Sequence, residues 1–227
     1  MSHGAALRTT LDLVTPTLRL AAARLWSAPL LAERYPVYLR AMHGVVRASV
    51  PLMRAAVSRC TEPAFDRAVA EPLRAYLEAH IVQELHHDDW LLDDLSVIGA
   101  SHGAPPGPVI ARLAGAQYYW LHHVDPVCLL GYIAVLEGNA PSAHLADYLR
   151  VVTGLPDAAF RTLRHHADVD VAHSEELAAL LDRLPLTARQ RSAVTVSALS
   201  TVGDLVLLYD AIATGKPDAY QMQTAAK

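Results

Sequence analysis

The stretch "HHADVDVAHSEELAALLDRL", residues 165–184, decides the fold because histidines and aspartates crowd its start and an ordinary helix pattern follows. Each residue of an α-helix advances about 100°, so Asp170 lies about 40° from His166 and His173 about 20° to the other side. These three side chains therefore share one helix face, whereas His165 is expected to face water. A metal ion needs such convergence, but taken alone the stretch is equally well explained as a polar helix face.

A second stripe of the same kind lies in "EAHIVQELHHDDWLLDDL", residues 78–95. Glu84 and His87 form Glu-x-x-His, a spacing that puts a carboxylate and an imidazole side by side on one helical turn. His80 lies one turn earlier on the same face. Two such stripes on separate helices are much less expected by chance than one, which favours a metal site. The neighbouring aspartates are expected to form a solvated helix face: Asp88, Asp89, Asp93 and Asp94.

Glu137 is the third contributor, because it ends the otherwise apolar "LLGYIAVLEG", residues 129–138. A carboxylate at a helix C-terminus opposes the helix dipole, so this one is either solvated or buried against a cation. The candidate metal ligands are therefore three carboxylates and three imidazoles: Glu84, His87, Glu137, His166, Asp170 and His173. Mixed nitrogen and oxygen ligands suit two iron or manganese ions better than zinc or magnesium. A ferritin-like bundle is disfavoured, since it would repeat Glu-x-x-His on two helices.

The amino-acid composition indicates the broad class of protein. Hydrophobic residues make up 52% and charged residues 19% of the 227 residues, and the net charge is -4. This profile is typical of a globular protein with a large core, and it offers no basic surface for nucleic acid. The longest uncharged apolar run, residues 126–136, is too short for a membrane span, and Arg8 and Arg19 interrupt any secretory signal. Two cysteines give no disulfide framework, so a cytoplasmic location is expected.

Helical periodicity runs nearly throughout the chain and predicts an all-α bundle of about seven helices. One long helix includes residues 35–57 and a second covers about 62–96, with "GASHGAPPGP" (99–108) as the loop that follows. Thr187 and Gln190 form a plausible capping box for the last helix, which Gly215 closes. No linker divides the chain, so residues 1–227 are expected to form one domain, with its core at about 24–214, a short N-terminal arm and a C-terminal tail.

The ordered motifs "QELHHDDWLLDDLSVIG", "GYIAVLEG" and "HHADVDVAHSEELAALLDRL" resemble the haem-oxygenase-like non-haem di-iron oxygenases and oxidases. The resemblance spans roughly residues 35–185. It implies a seven-helix haem-oxygenase-like bundle, an enzyme of biosynthesis, two Fe(II) ions per chain with manganese as the alternative, and O₂ as co-substrate. It places the metal on the six candidate residues, assigns no further catalytic or cofactor-binding residue, and gives His80 no role. The implied reactions on a small metabolite are N-oxygenation, desaturation or C–C cleavage, and an amine or amino-acid-like substrate is favoured.

Alternatives remain open at this stage. One is a haem-degrading or metal-independent member of the same fold, with His43 as a haem ligand or Cys128 as a nucleophile; each of these residues is more simply a packed or buried group. The other is a non-catalytic metal-binding bundle. The expected partner is a small-molecule substrate, with no nucleic acid or membrane, and a homodimer stays open.

Overall fold

The computed structural model describes residues 2–101 and 105–216, and the all-α prediction is confirmed. None of the described residues forms an extended strand, and two short 3-10 helices, Pro126–Cys128 and Asp157–Phe160, link longer ones. The α-helices are α1 (His3–Trp26), α2 (Leu31–Cys60), α3 (Arg67–Glu84), α4 (His87–Val97), α5 (Pro108–His123), α6 (Leu129–Glu137), α7 (Leu145–Thr153), α8 (Arg161–Arg183) and α9 (Ala188–Thr214).

Helix α2 forms the spine of the bundle and packs against α3, α4 and α5, while α9 packs against α1 and α6. The largest fully buried side chains include Tyr35, Leu39 and Leu52 of α2 together with Tyr132 of α6. Nearly all apolar residues inside belong to one continuous core. Helix α8 closes this core on the side where α3, α4 and α6 meet it, and it brings the histidine-rich stretch inward.

The N-terminal segment differs from the short arm expected from the sequence, because it forms the 24-residue helix α1. Leu7, Leu18 and Leu25 of this helix are buried in the core. The backbone N–H of Gly4 also donates a hydrogen bond of 2.7 Å to Asp182 of α8. The core therefore begins well before residue 24, and the expected C-terminal tail lies outside the described residues after 216.

The expected single helix over about 62–96 is divided in the structure. Asp66 caps α3 by accepting a hydrogen bond from the Ala68 N–H, and α3 ends at Glu84. His86 then has a φ of 71°, in the left-handed region that residues other than glycine avoid, and α4 begins at the next residue. This division and the N-terminal helix account for the two additional α-helices. Non-glycine residues held in this region cluster at functional sites.

The predicted ends of the last helix are present. Thr187 and Gln190 form a reciprocal capping box at the start of α9, and Gly215 takes the left-handed conformation at its end. Among the described residues, α9 is also long and apolar enough to cross a membrane by length and composition. Half of its most apolar window is buried inside the bundle, as expected of a core helix.

Close packing of α6 on α9 depends on Gly131, because an added Cβ would clash with the Val194 carbonyl oxygen and lie 2.8 Å from the Ala198 nitrogen. We expect Gly131→Ala to lower the free energy of unfolding by about 1–3 kcal/mol, since overpacking forces helices apart. Gly203 of α9 is the matched control, because an added Cβ there meets no atom within 4 Å. Gly203→Ala should be neutral or stabilising in urea unfolding, and equal effects of both variants would contradict this account of the packing.

Candidate metal centre

Four helices contribute the side chains of the candidate metal centre. Glu84 is the last residue of α3, His87 is the first of α4 and Glu137 is the last of α6. Helix α8 passes across these helix ends and presents His166 and His173 from one face, as the helical register predicts. The ends of α3 and α6 and the start of α4 thus meet one face of α8, and the polar side chains at these positions lie inside the bundle.

The first group of ligand atoms comes from Glu84, His87 and His166, whose atoms all lie within 4.8 Å of one another. The Nδ1 atom of His87 is 3.3 Å from the Oε2 atom of Glu84. Burial is the largest effect on the pKa of Glu84 and acts to raise it, but the contact with His87 and the charges of the nearby histidines outweigh it and lower the pKa. Glu84 is therefore a carboxylate rather than a carboxylic acid.

A second group comes from His80, Glu84 and His173, again with all ligand atoms within 4.8 Å. Glu84 belongs to both groups. His80 has no role in the motif set that the sequence resembles, yet it is buried, with its ring edge to face with His173 at 4.9 Å. The signal for it was present in the sequence, since residues 80, 84 and 87 follow helical spacing.

Glu137 lies next to the second group and is 7% exposed, so of the two readings of this residue the structure selects the buried one. Its Oε1 atom is 2.7 Å from Nε2 of His80 and 3.8 Å from Nδ1 of His173. Burial acts to lower the pKa of His80, but the contact with Glu137 outweighs it and raises that pKa, so the two groups form a buried ion pair. Neither oxygen of Glu137 has a donor in good hydrogen-bond geometry among the described residues. Burial raises the pKa of this carboxyl group, which counteracts its ionisation unless a cation compensates.

Asp170 is 5% exposed and lies on the same face of α8, but its oxygens belong to neither group of ligand atoms. It borders the same cavity as Glu84, Glu137 and His166. Burial, followed by the charges of Glu137 and Glu84, raises its pKa to about 8. Of the six candidate ligands, the structure therefore gathers four into two groups, adds Glu137 in contact with them, and leaves Asp170 adjacent.

Hydrogen bonds to the backbone orient His166. Its Nδ1 atom is 3.0 Å from the carbonyl oxygen of Thr162, an arrangement in which Nδ1–H donates and Nε2 keeps its lone pair. The Thr162 N–H in turn donates to the Oδ2 atom of Asp94 at 3.1 Å. Asp94 is only 1% exposed, so the expectation that it belongs to a solvated helix face was wrong. The Asp94 carboxylate instead accepts a hydrogen bond from the first turn of α8.

His165 is less exposed than expected from the sequence, which predicted that it faces water. It is half-buried and packs edge to face against Trp90 at 4.8 Å and against His87 at 5.0 Å. It belongs to neither group of ligand atoms, so its separation from His166 on the helix is as expected. The guanidinium of Arg161 lies 4.6 Å from the Trp90 ring and covers the outer side of this cluster.

Unpaired polar atoms test whether these residues fit a metal. His87 Nδ1, His173 Nδ1 and both oxygens of Glu137 are buried and have no hydrogen-bond partner among the residues that the structure describes. Such atoms are rare in folded proteins, because each loses its hydration without replacement. Burial lowers the pKa of His166 and His173, so their imidazoles are neutral and offer lone pairs. A nitrogen and carboxylate donor set of this kind fits iron or manganese.

A cavity of about 130 Å³ adjoins the centre. Apolar side chains of α2, α6 and α9, such as Leu39, Val45 and Leu205, form most of its wall. Neither His43 nor Cys128 is among its lining residues. Burial raises the pKa of the Cys128 thiol to about 12, so this cysteine is protonated at neutral pH and is a poor nucleophile.

Fold and site together define an all-α bundle that carries a buried cluster of imidazoles and carboxylates beside an apolar cavity. Comparison with known families then identifies the chain: it belongs to the family described as iron-containing redox enzymes, whose model matches residues 37–202. The resemblance inferred from the three motifs is thereby confirmed at the level of the family.

Solved structures support the same fold. A domain of unknown function with a heme oxygenase-like fold from Shewanella denitrificans OS217 matches with a TM-score of 0.72 and 16% identity over 93% of this chain and 90% of that one. A TenA homolog from Pseudomonas syringae pv. tomato DC3000 matches with a TM-score of 0.65 and 13% identity over 91% and 93% of the two chains. At these identities the similarity establishes the fold alone. No curated protein gives a significant match.

The two adjacent histidines of α8 should respond differently to mutation. We expect His166→Ala to abolish tight binding of one Fe(II) ion, because it removes an oriented imidazole from the first ligand group. His165→Ala should leave iron stoichiometry unchanged and lower stability only modestly, since this ring packs against Trp90. Anaerobic Fe(II) titration followed by iron analysis measures both effects, and equal losses in the two variants would show that the assignment of His166 is wrong.

The buried carboxyl groups should also give the metal-free protein a distinctive pH dependence. Asp170 has a folded-state pKa of about 8, well above its ordinary value, so the folded protein binds this proton more tightly than the unfolded chain does. Its contribution to stability is present at low pH and is lost as pH rises through 8. We expect the free energy of unfolding of metal-free protein to fall by about 1 kcal/mol between about pH 7 and about pH 9.

Two variants on the same helix make that measurement specific. Asp170→Asn is uncharged at every pH and should flatten the dependence, whereas the exposed Asp168→Asn should leave it as in the unmodified protein. The histidines with lowered pKa contribute little in this interval, because their titration in the unfolded chain is nearly complete by about pH 7. Stability that rises over the interval would contradict burial of Asp170 as the dominant effect.

Proposed function

We propose that this chain is a non-haem di-iron enzyme that uses O₂ to oxidise a small metabolite. The observation that carries the proposal is the membership of Glu84 in both groups of ligand atoms. A carboxylate has two oxygens and can serve two ions, which is how carboxylate-bridged di-iron proteins hold their metals. A site for a single ion would need only one such group.

The residues that would hold the metals divide between the two groups. Glu84, His87 and His166 would bind one ion, and His80, Glu84 and His173 would surround the other, with Glu137 in contact with His80 and Asp170 beside them. Iron bound there would supply O₂ binding and electron transfer to or from the substrate. Manganese is the alternative metal for the same donors.

The chain itself prepares the site for this chemistry. The Thr162 carbonyl holds one tautomer of His166, and the bundle interior keeps His166 and His173 neutral, so no proton must leave these rings before metal binds. The apolar wall of the cavity, including Leu39 and Leu205, excludes bulk water from the side of the centre that a substrate would occupy.

The proposed substrate is an amine or amino-acid-like metabolite, oxidised by N-oxygenation, desaturation or C–C cleavage. The fold supports several chemistries and selects none of them. We place the enzyme in biosynthesis in the cytoplasm, with no nucleic acid or membrane partner, and with a homodimer as an open alternative. Its two free, buried cysteines are in keeping with a reducing compartment.

Two rival functions are less well supported. A metal-independent enzyme on the same fold would leave buried atoms of Glu137 and His173 without a hydrogen-bond partner among the described residues. A metal-storage bundle would account for the ligands but gives no reason for a cavity beside them. Haem binding through His43 is disfavoured because that residue does not line the cavity.

Iron stoichiometry tests the proposal directly. Protein loaded anaerobically with Fe(II) should bind about two ions per chain, as carboxylate-bridged centres do. Glu84→Ala should lose most of both ions because the residue serves both groups, whereas His173→Ala should lose one more readily than the other. Mixing the ferrous protein with O₂ should change its absorption spectrum.

Exposed residues of the same types provide controls: Glu175→Ala and His122→Ala should each bind iron as the unmodified protein does. Circular dichroism separates loss of metal from loss of fold in the two site variants. Less than about one ion per chain in the unmodified protein, or tight haem binding in its place, would rule out the di-iron centre.

A further inference from the structure

Helices α1 and α9 lie side by side and run in the same direction. Near the end of both helices, Arg24 of α1 donates a hydrogen bond of 2.7 Å to Asp210 of α9. Near their start, Gly4 of α1 bonds to Asp182, which lies shortly before α9 begins at Ala188. The offset of 186 residues between Arg24 and Asp210 therefore relates neighbouring positions along the two helices.

Large apolar side chains are exposed on the outer side of this helix pair. We call this surface the α1/α9 face, and its members are Leu13, Leu20, Val196, Leu199 and Leu207. Leu13 is 79% exposed, and the other four are between 38% and 56% exposed. Their spacing along each helix keeps them on one side of it, and the offset brings the two groups next to each other.

The part of α9 that forms this face carries almost no charge. Residues 192–209 include one charged residue, Asp204. It is buried and accepts a hydrogen bond of 2.7 Å from Arg112, so it does not reach the outer side. A connected apolar surface is uncommon on a monomer, and depletion of charge is typical of the centre of a protein interface.

The α1/α9 face is large enough for a stable dimer. Its helices have 24 and 27 residues, so they are about 36 and about 40 Å long. Two packed helices with axes about 9 Å apart present a surface about 20 Å wide. The footprint is therefore about 700–800 Å², which matches the roughly 800 Å² that each partner contributes to an interface of standard size.

The apolar residues are also placed symmetrically. Leu13 and Leu20 lie at equal distances from the midpoint between residues 16 and 17, and Val196 and Leu207 from the midpoint between residues 201 and 202. The offset of 186 places residue 16 beside residue 202, so the two midpoints are neighbours. A two-fold axis at this level, perpendicular to the helices, brings Leu13 of one copy against Leu20 of the other, and Val196 against Leu207.

We propose that the α1/α9 face is the interface of a homodimer, in which two copies pack their α1 and α9 as an antiparallel four-helix layer. The antiparallel arrangement also opposes the helix dipoles of the two copies. An unrelated partner would give no reason for the symmetric spacing. A membrane surface fits less well, because the net charge is -4 and none of the five members of the face is basic.

The mass in solution tests the interface. One chain has a mass of 24.6 kDa. Light scattering at about 10 μM should give twice that mass, since interfaces of this size bind with micromolar or tighter affinity. The mass should be the same with and without Fe(II), so the interface and the di-iron function stand or fall separately. A monomer mass for the unmodified protein would overturn the proposal.

Charged variants test the assigned residues. Leu13→Glu combined with Leu20→Glu should give a monomer, and so should Val196→Glu combined with Leu207→Glu, because each dimer would bury four carboxylates against apolar side chains. The matched control combines Val82→Glu with Val151→Glu, two valines of α3 and α7 that are as exposed as Leu13. This control should remain a dimer, and circular dichroism should show that every variant is folded.

A variant with opposite charges tests the orientation of the two copies. Leu13→Lys combined with Leu20→Glu places unlike charges at positions that meet across the two-fold axis. It should dimerise at least about tenfold more tightly than the variant with two glutamates, in which like charges meet.

Two further results would contradict the proposal. One is a dimer that persists in both pairs of glutamate variants, which would place the interface elsewhere. The other is a monomer that binds phosphatidylcholine vesicles and loses this binding in the same variants, which would assign the α1/α9 face to a membrane surface.

Discussion

Acidic groups enclosed in an apolar bundle are the constraint on which this structure depends. Glu84, Glu137 and Asp170 line one cavity, and none of the described residues in its wall is a lysine or an arginine. Without a metal, protons neutralise part of this charge, because burial raises the pKa of Glu137 and brings that of Asp170 to about 8, whereas Glu84 stays ionised through its contact with His87. Divalent cations would compensate the acidic charge without protons, and they would also satisfy the buried atoms of Glu137 and His173 that have no hydrogen-bond partner among the described residues.

Helix ends bring these groups together, and one backbone residue between them has an unfavourable conformation. The left-handed His86 stops α3 at Glu84 and restarts the chain at His87, so the two ligands come from different helices yet remain 3.3 Å apart. Glu84 ends α3, whose C-terminal polarity opposes a carboxylate, but the start of α4 beside it carries partial positive charge that offsets this effect. The end of α6 has the opposite polarity and disfavours an ionised Glu137. Both effects make Glu137 the acid that most needs a cation.

Sequence periodicity predicted the architecture well because most helices have strong ends and one apolar face. The capping box at Thr187 and the side-by-side placement of His166 and His173 follow from spacing alone. The first helix was also predictable, since Leu7, Leu11, Val14 and Leu18 recur at helical spacing. The arginines of this segment argue against a secretory signal, but they do not interrupt the helical spacing of its apolar residues.

Other features depend on tertiary contacts that no local pattern contains. Asp94 looks like its exposed neighbours in sequence, and only the approach of α8 makes it a buried partner of Thr162. The helix breaks at His86 although the sequence around it keeps helical spacing, because the packing of Glu84 and His87 overrides the local preference for a continuous helix. His80 could be placed on the correct face from spacing, but its contact with Glu137 requires α6, whose position the sequence does not reveal.

The shared fold leaves the chemistry to the side chains inside it. A TenA homolog and a heme oxygenase-like domain share this fold at low identity, and a fold alone does not determine the site that it carries. In this chain the interior contains polar atoms whose hydrogen-bonding capacity the described residues do not satisfy. A protein that needed these helices only for packing would be more stable with apolar residues at Glu137 and His173. Their presence in the core, beside a cavity with hydroxyls that also lack protein partners, is explained if both parts of the interior are completed by bound species.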